Sequence, residues 1–150
     1  YKDDAKIVGH YLGLLRQVGA DAEAAELIEN YSLKHWQDEF ALLYSELKLT
    51  DSAKHLKKAE AWLSQRADNA SLLLSLGRLS LKAELWGKAR EYFEASIKIS
   101  PDPVSFAELQ RLLRNLADTK AVEELSHTYA QHIEASLPLL PMPSKLLSND

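Results

Sequence analysis

The chain has no cysteine in 150 residues. That removes disulfide bridges, thiolate nucleophiles and cysteine-ligated zinc or iron–sulfur centres, without fixing a compartment. β-Branched residues are scarce: Val, Ile and Thr together number 12, against 28 Leu and 19 Ala. Straight-chain residues lose little rotamer freedom in a helix, whereas β-branched ones suit pleated strands, so the imbalance points to helix throughout. No apolar run reaches the ~18 residues of a membrane span, and no signal peptide is visible. The chain opens on Tyr1 rather than Met, as expected of a piece of a longer protein. Excess positive charge is also missing. Eighteen Lys and Arg face 22 Asp and Glu, a formal net charge of −4, so nucleic acid is not an expected partner. The densest basic group, Lys54, His55, Lys57 and Lys58, reads as a solvated helix face.

What is present is helical periodicity. Apolar residues recur at helical spacing in eight stretches. The first runs from about Asp4 to Val18, with Ile7, Tyr11, Leu14, Leu15 and Val18 on one stripe, and Gly19 ends it. Asp21 is the expected N-cap of the second. The third spans Trp36 to Leu47, the fourth is capped by Thr50 or Asp51, and Asn69 caps a Leu-rich fifth. The sixth runs from near Leu85 to near Ser100. Asp102 and Pro103 open the seventh, because proline suits the first helical position. Asp118 or Thr119 starts the eighth, which ends near Ser136. Prolines at 138, 141 and 143 then exclude a regular helix, so residues 137–150 are expected as an extended or disordered tail. Its leucines, Leu137, Leu139, Leu140, Leu146 and Leu147, are apolar enough to dock on the last hairpin or on a neighbour.

Short connections between such helices make antiparallel hairpins, four in number over residues 1–136. Residues 70–103 follow the ~34-residue tetratricopeptide (TPR) pattern. Leu73, Leu76 and Gly77 fall in the first helix, Ala89 and Phe93 in the second, and Pro101 closes the unit. Gly77 and Ala89 let the backbones approach, and Phe93 plugs the space beside them. The window 36–69 is a degenerate copy in which Leu43 replaces Gly77, and 3–35 and 104–136 carry weaker signatures. The expected fold is all-α, a right-handed TPR-like superhelix.

The stretch Ser75-Leu76-Gly77-Arg78-Leu79-Ser80-Leu81, followed by Leu85 to Ser96, resembles the C-terminal TPR region of the proteobacterial HemY family. Gly9-His10-Tyr11-Leu12 and Lys120 to Leu125 resemble it as well. The resemblance implies an inner-membrane parent protein anchored by N-terminal helices outside this sequence, with the TPR part on the cytoplasmic side. It also implies a link to late haem biosynthesis, with haem-synthesis enzymes as partners and no established catalytic activity.

Catalytic constellations are not apparent. There is no Gly-x-Ser-x-Gly elbow, phosphate loop or dinucleotide-binding glycine pattern. His10, His35, His55, His127 and His132 include no pair at i, i+3 or i+4, so no helical metal site is expected. No cofactor is expected from the residues; haem is motivated by the resemblance alone, with His10 as the position to test. Glu23, Glu26 and Glu29 read as solvated carboxylates near a helix start. Trp36, Trp62 and Trp86 read as packing residues. Likeness to TPR domains places groove-facing positions at Gln37, Phe40, Tyr44, Leu47 and Lys48, and at Ser71, Leu74, Arg78, Leu81 and Lys82. Tyr44 and Arg78 stand at equivalent places, suited to an extended peptide or a helix bearing an acidic group. The function expected is a protein-interaction scaffold. The alternatives are a haem- or porphyrin-binding module and a structural cap on a longer solenoid.

Overall fold

The computed structural model describes residues 2–144, and eight α-helices follow one another there. They are α1 (Lys2–Gln17), α2 (Asp21–Tyr31), α3 (Asp38–Glu46), α4 (Ser52–Glu60), α5 (Ala70–Lys82), α6 (Trp86–Ile99), α7 (Pro103–Asn115) and α8 (Thr119–Ala135). They form four hairpins, α1–α2 to α7–α8. A 3-10 turn, Ala61–Ser64, tightens the end of α4. Asp51, Asn69, Asp102 and Asp118 cap their helices, each accepting a backbone N–H two or three residues on. Each such cap contributes about 1 kcal/mol.

Asp21 departs from expectation. The N-cap of α2 is Ala20, with no side-chain cap. The Asp21 carboxylate instead accepts the backbone N–H of Lys48 at 2.7 Å. The cause lies in α3, which is shorter than the Trp36–Leu47 expected. Gln37 and Leu47 are both extended, so α3 stops at Glu46. Asp21 satisfies the donor left just beyond it, and Lys82 Nζ donates to the Leu47 carbonyl at 2.8 Å.

The third hairpin packs most closely. A Cβ placed on Gly77 would lie within 2.8 Å of three carbons of the Phe93 ring, so only glycine leaves room for it. Ala89, Phe93 and Leu76 are fully buried and Leu73 nearly so, while Pro101 is exposed just past α6. Ser96 on α6 donates to the Ala70 carbonyl at 2.8 Å, tying the two helices at their far end. In the second hairpin Leu43 stands in place of Gly77, and α3 and α4 do not approach closely. Tyr44, His55 and Trp62 fill that gap edge-on, with ring centroids 5.2–5.7 Å apart.

Three hairpins turn on a residue with positive φ: Gly19 (76°), Glu84 (59°) and Ala117 (58°). Each turn is locked by the same backbone bond, from Ala20 to Leu15, Leu85 to Ser80 and Asp118 to Leu113. Gly19 to Glu84 spans two hairpins in 65 residues and Glu84 to Ala117 spans one in 33, so the turns recur at a nearly constant interval close to the expected ~34 residues. α8 closes the stack. Ala121, Val122 and Leu125 pack on α7, while Glu123, Glu124, His127, Gln131 and Glu134 are exposed. Residues 137–144 carry no helix and are exposed, and Leu146 and Leu147 lie outside the described residues.

Gly77→Ala is expected to lower unfolding free energy by about 1–2 kcal/mol, because overpacking outweighs the gain in helix propensity. Ala117→Gly is expected to raise it by roughly 0.5–1 kcal/mol, by relieving a left-handed alanine. Urea denaturation of the two variants checks both signs.

Candidate interaction surface

The sequence-predicted groove divides on folding. Tyr44 is 0% exposed and Phe40 is 7%, so neither meets a partner. Leu47 and Leu74 are buried as well. The reason is the wide second hairpin. With Leu43 in place of a glycine, the gap between α3 and α4 takes large side chains, and Tyr44 turns into it. Phe40 is drawn inward by Tyr31, edge-on at 5.4 Å. Gln37 and Ser71 are half-buried, and the Ser71 carbonyl accepts the Ser75 hydroxyl. Lys48 is exposed, and Lys82 spends its ammonium on the Leu47 carbonyl. Burial pushes the Lys82 ammonium below its ordinary value, partly offset by Glu46 and Asp21.

Tyr44 instead anchors a polar cluster between α2 and α4. Its hydroxyl donates to Glu29 Oε2 at 2.7 Å and lies 2.8 Å from His55 Nδ1. Since the tyrosine proton is committed to Glu29, His55 donates from Nδ1. Lys58 Nζ donates to the other Glu29 oxygen at 2.9 Å. Glu29 and His55 are therefore not the solvated residues their sequence context suggests, whereas Glu23 and Glu26 are exposed. Burial pushes the Glu29 carboxyl up, but Tyr44 and Lys58 more than offset it, and its pKa falls below the ordinary value. Burial lowers His55, opposed by Glu29 and assisted by Lys58 and Lys54. Burial and Glu29 together raise the Tyr44 phenol.

Arg78 faces the other way along the stack. Its Nε donates to Glu108 of α7 at 2.8 Å, and Arg111 donates to the second Glu108 oxygen. Two guanidinium groups thus share one carboxylate, leaving one positive charge over. Beside them opens a pocket of about 490 Å³ lined by Leu81, Trp86, Arg111, Leu112, Asn115 and Leu116. Trp86 and Leu116 are 44% and 41% exposed there. Of the sequence-predicted groove residues, only Leu81 lines this pocket and Arg78 borders it through Glu108. The sequence reading missed the α7 half. Carrying the same groove positions into the window 104–136 would have reached Glu108, Leu112, Asn115 and Leu116. Trp36 and Trp62 pack edge-on with each other, at 5.6 Å, while Trp86 lines the pocket.

His10 is exposed on α1 beside a shallow groove formed with Gly9, Gly13 and Gln17. Among the described residues no three His, Cys, Asp or Glu converge to hold a metal ion, and no helix is long and apolar enough to cross a membrane.

Both depressed groups of the α2–α4 cluster favour the fold at higher pH. The His55 contribution is present above its unfolded value of 6.5 and is lost as pH falls through its lower folded pKa. The Glu29 contribution is present above 4.5 and is lost further into acid. Thermal melts between pH 7.5 and 4 are expected to show falling Tm, with the upper part of that fall flattened in His55→Gln. Tyr44→Phe is expected to cost about 1–2 kcal/mol by urea denaturation at neutral pH.

No family model matches the chain, and no curated protein matches it. Solved structures do. MamA from Desulfovibrio magneticus RS-1, residues 41 to the end, superposes with a TM-score of 0.65 at 14% identity, over 87% of this chain and 76% of that one. A MamA RS-1 double mutant, ArsTM, gives 0.63 at 17% identity, over 91% and 78%. A crystal structure of MamA protein gives 0.61 at 15% identity, over 93% and 82%. At such identities the likeness shows the fold alone: an all-α, TPR-like stack of hairpins.

Proposed function

We propose that the chain is a non-catalytic scaffold that takes an extended segment of a partner protein against α5 and α7. The observation that carries this is the pocket of Leu81, Trp86, Leu112 and Leu116 beside the unbalanced Arg78–Glu108–Arg111 group. An apolar pocket with one aromatic wall seats an apolar side chain. The surplus guanidinium charge selects a carboxylate next to it. Arg111, paired with Glu108 through one nitrogen, has further guanidinium donors to offer a ligand, since its side chain is 63% exposed.

The finer placement, in late haem biosynthesis at a bacterial inner membrane, rests on the HemY-like stretches around 75–96. On that reading the partners are enzymes of haem synthesis. His10, exposed on α1, is where direct haem binding would be tested. A Soret shift at stoichiometric haem, lost in His10→Ala, would favour haem binding over scaffolding.

Selecting displayed random peptides against the folded chain is expected to enrich an apolar residue followed closely by Asp or Glu. Arg111→Glu and Leu116→Asp should each weaken the selected peptides at least ~10-fold by fluorescence polarisation. Tyr44→Phe should leave them unchanged. Equal binding to wild type and both groove variants would overturn the proposal.

A further inference from the structure

A second pocket, of about 410 Å³, lies between the C-terminal ends of α2 and α4. It shares no residue with the pocket of α5 and α7. Both helices end in a way that leaves it open. α2 stops at Tyr31, and Leu33 follows in the turn towards α3 with 80% of its surface exposed. α4 gives way after Glu60 to the 3-10 turn Ala61–Ser64, where the small Ala61 leaves room beside Trp62. Trp62 is half-buried and held edge-on by Trp36 and Tyr44, at 5.6 and 5.2 Å. Leu33, Ala61 and Trp62 form the apolar wall. Sites of ~300–1,000 Å³ with apolar and aromatic walls and a few placed polar groups take small molecules. This pocket has that size and that lining.

The charged side chains fix the sign of the ligand. Three line the pocket: Glu29, Lys58 and Arg66. Both Glu29 oxygens are engaged, one by the Tyr44 hydroxyl and the other by Lys58. Lys58 spends one of its three protons there, and its side chain is 42% exposed. Among the described residues no carboxylate pairs with Arg66; its Nη1 donates to Gln65 Oε1 at 3.5 Å. The lining is therefore one neutralised ion pair and one guanidinium left over, which favours an anion.

Arg66 also selects the shape. Its guanidinium lies 4.4 Å from the centre of the Trp36 ring. Arg66 lines the pocket and Trp36 does not, so the guanidinium stands between that ring and the cavity. A planar guanidinium stacks on aromatic rings, and here one side has a ring and the other has space.

We propose that this pocket binds a small aromatic carboxylate. The ligand's ring packs against Arg66, Trp62 and Leu33, and its carboxylate takes the remaining N–H donors of Lys58. The site is separate from the peptide groove of α5 and α7 and works without it.

Cinnamate, a planar aromatic acid, is the probe. It is titrated into the full chain and followed by nitrogen–proton correlation NMR. The Leu33 and Arg66 amides and the Trp62 indole N–H are expected to shift together and saturate with a Kd of about 1 mM or below. Cinnamamide, the same skeleton without the charge, should bind at least ~10-fold more weakly. Leu33→Asp sets a carboxylate at the rim and should weaken cinnamate at least ~10-fold, with the helical circular dichroism unchanged because Leu33 is so exposed. Arg66→Gln should weaken it as well, and Leu116→Asp, in the other pocket, should leave it intact. No saturable shift at Leu33 and Trp62 up to about 10 mM, equal binding of acid and amide, or indifference to Leu33→Asp would overturn the proposal.

Discussion

The close approach of α5 and α6 at Gly77 sets the geometry of the stack. Glycine on one helix and a full aromatic ring on the other make a contact with no slack, since any Cβ would enter the Phe93 ring. That fit holds one hairpin rigid and presents two faces to its neighbours. Leu72, Leu76 and Leu79 extend from it towards the second hairpin. Leu74, Ala89 and Phe93 extend towards the fourth. The core is therefore two clusters joined through one helix pair rather than a single central mass.

The second hairpin shows what happens when the glycine is absent. With Leu43 in that place α3 and α4 stay apart, and the gap fills with Tyr44, His55 and Trp62. Such a gap is wide enough for polar groups, and Glu29 and Lys58 complete a hydrogen-bonded set that an apolar seam would have excluded. Three changes at the packing positions, Leu43 for Gly77, His55 for Ala89 and Ala59 for Phe93, thus separate a tightly packed hairpin from one that carries titratable groups in its interior.

The fold was legible because local signals agree with one another. Helix periodicity, four Asp or Asn caps and the Pro103 start all point to the same elements. The surface was much less legible. Tyr44 and Arg78 occupy equivalent repeat positions, yet one is fully buried and the other pairs with α7. Repeat position specifies direction only when the hairpins share one geometry, and the Leu43 hairpin does not. Asp21 misled for a similar reason: its carboxylate serves Lys48, a donor freed by a helix end that propensity alone does not locate. The α7 half of the pocket was within reach, because the groove positions extend into the last window unchanged.

The left-handed turns at Gly19, Glu84 and Ala117 act as rulers. Leu76 and Leu79, and then Leu109 and Leu112, which cluster with the preceding hairpin, stand eight and five residues before Glu84 and Ala117. One residue inserted within that count would swing the stripe by about 100° around the helix and point it away from its neighbour. An insertion in the loop between hairpins leaves the count untouched. The three turns keep nearly one interval, 65 residues over two hairpins and 33 over the next one, so both the count and the loops between hairpins are held.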